Sequence, residues 1–161
     1  MHRQALEGAG FEVIEATNGA TALAVFADAR PDLVVLDVVM PDIDGFAVCA
    51  AIRATPGGLY TPILMATALD DVASIDRAYR VGATDFIGKP INWAVLPHRV
   101  RYMLRAADNF RRLLVSENRL AEAQRIAGLG NFRWVPGSAA IECSAELRRI
   151  FGFDGDAGRV S

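Results

Sequence analysis

The first hundred residues predict an α/β fold, a doubly wound parallel sheet with helices on both faces. Three observations carry that prediction. Two short apolar runs, Leu33-Val34-Val35-Leu36 and Ile63-Leu64-Met65-Ala66, read as strands buried on both faces. Segments with apolar residues at helical spacing lie between and after them. Gly and Pro punctuate the junctions.

Taken in order, Gln4 to Ala9 reads as the end of a helix closed by Gly8 and Gly10. Phe11-Glu12-Val13-Ile14-Glu15-Ala16 reads as a leading strand. Asn18-Gly19 breaks the chain, and Ala20 to Ala29 is helical through Leu23, Val25 and Phe26. Pro31-Asp32 precedes the Leu33–Asp37 strand. Gly45 opens a helix to Arg53, and Thr55-Pro56-Gly57-Gly58 is a loop. Pro62 to Thr67 is the next strand, Asp70 to Val81 a helix stopped by Gly82, and Asp85 to Lys89 a short strand ended by Pro90. The spacing then predicts a helix from near Asn92 to Ala127.

From Arg99 the composition shifts. Seven arginines between Arg99 and Arg125 interleave with apolar residues, and Asp108, Glu117 and Glu122 share the segment. An amphipathic helix with a solvated face accounts for this better than a nucleic-acid surface does. Val100, Met103, Ala107, Phe110 and Leu114 follow a 3-4 spacing, as in a helix that pairs with another. Gly128-Leu129-Gly130 ends the helix. Asn131 to Val135 and Ala140 to Cys143 read as two strands around a Pro136-Gly137 turn. Ser144 caps a short helix, Ala145 to Phe151, closed by Gly152. So short a tail cannot bury a core of its own.

Composition narrows the function classes. Hydrophobic residues make up 52% of the 161, and the net charge is -2, which gives no general case for nucleic-acid or membrane binding. No apolar run approaches the ~20 residues of a membrane span. Cys49 and Cys143 lie far apart, outside any metal or redox spacing, and a reduced, cytoplasmic setting is the simplest reading.

Chemistry points to Asp37, at the carboxyl end of its strand. In open α/β sheets that edge is where ligands bind. Thr67 and Lys89 end the neighbouring strands. A carboxylate, a hydroxyl and an ammonium gathered there suit phosphoryl transfer: the first attacks phosphorus while the others hold phosphoryl oxygens. Alone, Thr67 would be an ordinary strand residue, Phe86 plain core and Lys89 a solvated charge. Asp42 and Asp44 invite a calcium-loop reading, which fails because Met40 and Ala51 stand where such a loop needs carboxylates.

Asp37 with Met40-Pro41-Asp42-Ile43-Asp44-Gly45, then Thr67, then Asp85-Phe86-Ile87-Gly88-Lys89-Pro90, resembles the receiver domain of two-component response regulators. The resemblance covers residues 4 to 106 and implies a flavodoxin-like fold. It implies that Asp37 accepts a phosphoryl group from a sensor histidine kinase or phosphotransfer protein. Thr67 and Lys89 would contact that group, Phe86 would be the switch aromatic, and the Val39 backbone carbonyl would join Asp37 in holding Mg²⁺. A receiver is a phosphoacceptor rather than an enzyme. A hydrolase of aspartyl-phosphate type would need a second aspartate where Val39 stands.

The pattern also departs from the family. Receivers open on a strand ending in an acidic pair that helps hold Mg²⁺, and no such strand precedes the first helix here. The sheet is expected to lack its first strand, and Mg²⁺ binding to be weak or absent. The chain then reads as a truncated product of a longer regulator. A phosphorylation-independent interaction module is the alternative. The tail from Ala123 to Trp134, with Ser144 to Phe153, resembles the start of a PAS domain. The expected layout is a receiver at 1–106, a linker helix at 107–127 that could pair in a homodimer, and a partial PAS-like segment at 128–161.

Overall fold

Parallel strands cannot be joined by tight turns, so each must be followed by a crossover. In the computed structural model, which describes residues 2–68, 72–134, 141–152 and 159–160, those crossovers are helices. Helix α1 (His2–Glu7) is followed by α2 (Gly19–Ala29), β1 (Val34–Asp37), α3 (Gly45–Arg53), β2 (Ile63–Thr67), α4 (Val72–Arg80), β3 (Asp85–Gly88) and α5 (Leu96–Ala127). The three strands form one parallel sheet in the order β1-β2-β3. Val34 stands opposite Ile63, Asp37 opposite Ala66, and Thr67 opposite Gly88.

The expected alternation of strand and helix is present, and β2 shows why its sequence is apolar throughout. All five of its residues are buried. Ile63 and Met65 join a cluster with Phe26, Phe46, Val48, Cys49 and Ile52 from α2 and α3, and with Ala78 from α4. Leu64 and Ala66 face the other way, with Ile87, Leu96, Val100 and Met103, and with Leu6 of α1 beside them. Period-two alternation thus sends one strand into two cores. Fully burying each large aliphatic side chain is worth roughly 1.5–3 kcal/mol.

The leading strand expected at Phe11–Ala16 does not form. Those residues have no assigned secondary structure. A strand exists only by pairing, and among the described residues nothing pairs with this segment. Consequently β1 is an edge strand, with Val35 at 39% exposure. One smaller difference is local. The last helix of the sheet domain starts at Leu96 rather than near Asn92, because Asn92 to Val95 form a turn in which the Asn92 carbonyl accepts from the N–H groups of Val95 and Leu96. The predicted start of α4 at Asp70 lies outside the described residues.

The sheet is braced at its amino end by Arg53. Its Nε donates to the Gly82 carbonyl at 2.7 Å, Nη1 to the carbonyls of Gly58 and Thr61 at 2.5 and 2.7 Å, and Nη2 to Thr84 Oγ1 at 3.2 Å. Burial pulls its pKa down. A forked donor suits this many acceptors. Arg99 of α5 holds Asp85 of β3 in a two-pronged pair at 2.7 and 2.8 Å, which raises the Arg99 pKa.

The chain divides into two compact units, residues 1–109 and 110–161. In the second, β4 (Phe132–Trp134), β5 (Ile141–Cys143) and β6 (Arg159–Val160) form an antiparallel sheet, with α6 (Ala145–Phe151) following β5. Ser144 caps α6 as expected, its Oγ accepting from Leu147 N–H at 3.2 Å, and Gly152 closes it at φ 67°. The strand β6 was not foreseen. The expected Pro136-Gly137 turn and the start of the return strand at Ala140 lie outside the described residues.

Candidate functional site

The carboxyl ends of β1, β2 and β3 lie side by side, because the parallel register sets them there. Asp37 is the last residue of β1. Lys89 follows β3 and is anchored through its backbone: its N–H donates to the Thr67 carbonyl at 2.8 Å. From that anchor the ammonium reaches across β2, and Lys89 Nζ forms a close ion pair with Asp37 Oδ2. Fifty-two positions separate the two residues in sequence. The other carboxylate oxygen, Oδ1, accepts from the Val39 N–H at 3.0 Å. Both charged side chains stay partly open to solvent, at 37% and 39% exposure.

Of the residues singled out in sequence, Asp37 and Lys89 therefore meet. Thr67 ends the strand between them and is buried. Val39 is highly exposed, two residues past Asp37. Phe86 sits apart from the pair, packed against the core cluster that holds Met65, with its ring edge-on to Tyr79 of α4 at 5.8 Å between centroids. His98 is exposed, away from any described metal-ligating cluster.

The loop that carries the chain from Asp37 into α3 is tightly specified. Asp42 takes φ 70°, and the Ile43 N–H donates to the Pro41 carbonyl at 2.9 Å, closing a three-residue turn. Asp is among the few residues that accept a positive φ. The Gly45 N–H returns to the Val38 carbonyl at 3.0 Å. A Cβ on Gly45 would stand 2.1 Å from the Asp37 carbonyl oxygen. The glycine is thus required by close approach, since its backbone lies against that of Asp37. Asp44 caps α3, its Oδ1 accepting from Ala47 N–H at 2.8 Å.

Sequence reasoning missed two residues of α4 beside the site. Arg77 of α4 pairs with Asp44 Oδ2 at 3.0 Å and lies 4.2 Å over the Phe46 ring, and Tyr79 meets Phe86. The Asp44-Gly45 pair carried a readable helix-start signal. Nothing in the sequence signalled Arg77, which is thirty-three positions away from Asp44.

The donor set does not fit Mg²⁺. That ion asks for octahedral oxygen ligation, with one or two carboxylates beside water and substrate oxygens. Here one carboxylate is engaged by an ammonium and an amide N–H, and among the described residues no group of three acidic, His or Cys side chains converges. Glu7 is held on α1 by Arg3 at 2.7 Å.

A three-stranded parallel sheet, helices on both faces and an acid–lysine pair across its carboxyl edge define the class of signal receivers. Residues 1–101 match the response regulator receiver domain model, and the chain belongs to that family. The probable transcriptional regulator ycf27 of Pyropia yezoensis is 44% identical over 99 residues, covering 62% of this chain and 40% of that protein. Response regulator PleD of Caulobacter vibrioides is 38% identical over 127 residues, 74% of this chain and 28% of that one. The chain thus spans less than half the length of these curated relatives.

Among solved structures, the receiver domain of a signal transduction histidine kinase from Syntrophus aciditrophicus gives a TM-score of 0.60 at 34% identity, over 65% of this chain and 79% of that one. Chemotaxis protein CheY4 of Vibrio cholerae gives 0.60 at 35% identity, over 63% and 84%. The flavodoxin-like receiver fold expected from the motifs is therefore this chain's fold. No described helix is long and apolar enough to cross a membrane.

Proposed function

We propose that this chain is the phosphoacceptor part of a longer two-component regulator and that Asp37 is the acceptor. The single observation behind the reading is the Asp37–Lys89 ion pair at the carboxyl edge. An Asp37 oxygen attacks phosphorus of a phosphohistidine on a sensor kinase or phosphotransfer protein. The new P–O bond forms as the P–N bond breaks, and Lys89 then pairs with a phosphoryl oxygen. Thr67 contacts the same group, and Phe86 repacks against α4 in response. The change passes along α5 as a linker, through which two copies pair, toward a PAS-like segment from 128 on. Asp37 and the Val39 carbonyl are what this chain's own residues would offer to Mg²⁺. The setting is cytoplasmic.

The donor set favours a second reading, a phosphorylation-independent interaction module, because one engaged carboxylate makes a poor metal site. Intact-mass measurement after incubation with acetyl phosphate and Mg²⁺ separates the two. A phosphate-sized gain that disappears in Asp37→Asn supports the acceptor. A wild-type chain of unchanged mass supports the interaction module.

A further inference from the structure

Helix α4 touches both arms of the Asp37 site. Through Tyr79 it meets Phe86, three residues before Lys89. Through Arg77 it meets the other arm, the loop between Asp37 and α3. Arg77 Nη2 lies 3.0 Å from Asp44 Oδ2, and its guanidinium stacks 4.2 Å over the Phe46 ring. Phe46 is buried and so is a fixed platform. Asp44 spends its other oxygen capping α3 at Ala47. The next residue, Gly45, hydrogen-bonds to Val38 and has its Cα directly against the Asp37 carbonyl. A guanidinium on α4 is thus one ion pair and one peptide bond from the backbone contact against Asp37.

Three features make this more than a surface ion pair. The planar fork is used on both its edge and its face, which a lysine cannot reproduce. The acceptor is a helix cap, so losing the partner frees a carboxylate that also caps the start of α3. The segment between Asp37 and Gly45 is tied back on itself, because Asp42 occupies a positive φ and the Gly45 N–H donates to the Val38 carbonyl at 3.0 Å.

We propose that Arg77 is a positioning residue that locks α4 to the loop after Asp37, so that the placement of α4 and the backbone geometry at Asp37 change together. The proposal rests on these contacts and not on phosphorylation of Asp37. Its test is amide hydrogen exchange on the full 161-residue chain, comparing wild type, Arg77→Ala, Asp44→Asn and the double variant. Asn keeps the cap but removes the charge. Arg77→Ala is expected to speed exchange at Gly45 and Val39 by about threefold to tenfold. Asp44→Asn should do the same at those amides while Ala47 stays protected, and the double variant should add nothing further. Arg77→Lys should restore only part of the protection. Faster exchange confined to α4, or effects of the two variants that simply add, would overturn the proposal.

Discussion

The two units of this chain use apolar residues in opposite ways. In residues 1–109 the large aliphatics are inside: Ile52, Ile63, Leu64, Met65 and Leu96 are essentially inaccessible. In residues 110–161 they are outside: Phe132 is 66% exposed, Trp134 58% and Phe151 64%. The only described buried side chain there is a charged one, Glu146. Secondary structure is present in both, with caps and cross-strand register in order. Secondary structure can therefore be in order where few of the described apolar side chains are enclosed. The first unit holds its shape by burial and the second by local hydrogen bonds.

The sharpest way to break that contrast is to truncate one apolar residue in each unit. Leu64→Ala should cost about 2–5 kcal/mol, because β2 has neighbours on both faces and the cavity cannot drain. Phe132→Ala should cost less than about 0.5 kcal/mol, since most of its surface is already wet. Urea unfolding followed by far-UV circular dichroism, with residue-resolved NMR to assign each transition, measures both. Comparable losses would mean that Phe132 is covered in solution and that the contrast is wrong.

The same division explains what was legible beforehand. Helices and strands of the first unit announced themselves because burial imposes period, and the Asp37–Lys89 meeting followed from strand ends in a parallel sheet. The strand expected at Phe11–Ala16 failed because its alternation is only half of a strand; the other half is a neighbour to pair with. The loop after Asp37 was legible in its residue types but not in its strain. Asp42 rather than Gly45 takes the positive φ, and Gly45 is needed because a Cβ would strike Asp37. Arg77 was invisible, as one of many arginines whose partner is set by how α4 packs. In the second unit the local caps at Ser144 and Gly152 were readable, whereas β6 depends on pairing with β5 and was not.

An intermediate effect sharpens the contrast inside the first unit. Gly45→Ala adds one methyl at a point where the obstacle is backbone, and a Cβ at 2.1 Å from a carbonyl oxygen forces α3 or Asp37 to move. The expected cost is about 1–3 kcal/mol, in the range of other overpacked sites. The displacement should also appear as shifted amide signals at Val38 and Val39. Gly152→Ala in the second unit meets nothing within 4 Å and is opposed only by its φ of 67°. Its cost should be smaller, about 1 kcal/mol, and confined to α6. Equal and global effects of the two substitutions would show that the second unit transmits strain as the first does.

The smallest effect concerns what holds α6. Glu146 lies in its first turn, where the helix end favours an anion, and Arg149 grips both carboxylate oxygens from one turn on. The hydrogen bond from Arg149 holds the Glu146 pKa below the ordinary 4.5. A carboxylate whose pKa is depressed in the folded state stabilises that state fully above its ordinary value. The contribution shrinks as pH falls from there and is gone once pH passes below the folded value. Acid should therefore loosen α6 while Glu146 titrates, seen as faster amide exchange at Leu147 and Arg148 after correction for intrinsic rates. Glu146→Gln removes the titrating group and should flatten that dependence, leaving α6 weaker at neutral pH. An acid response of α6 that persists unchanged in Glu146→Gln would transfer the effect to another group and deprive the second unit of its principal local tie.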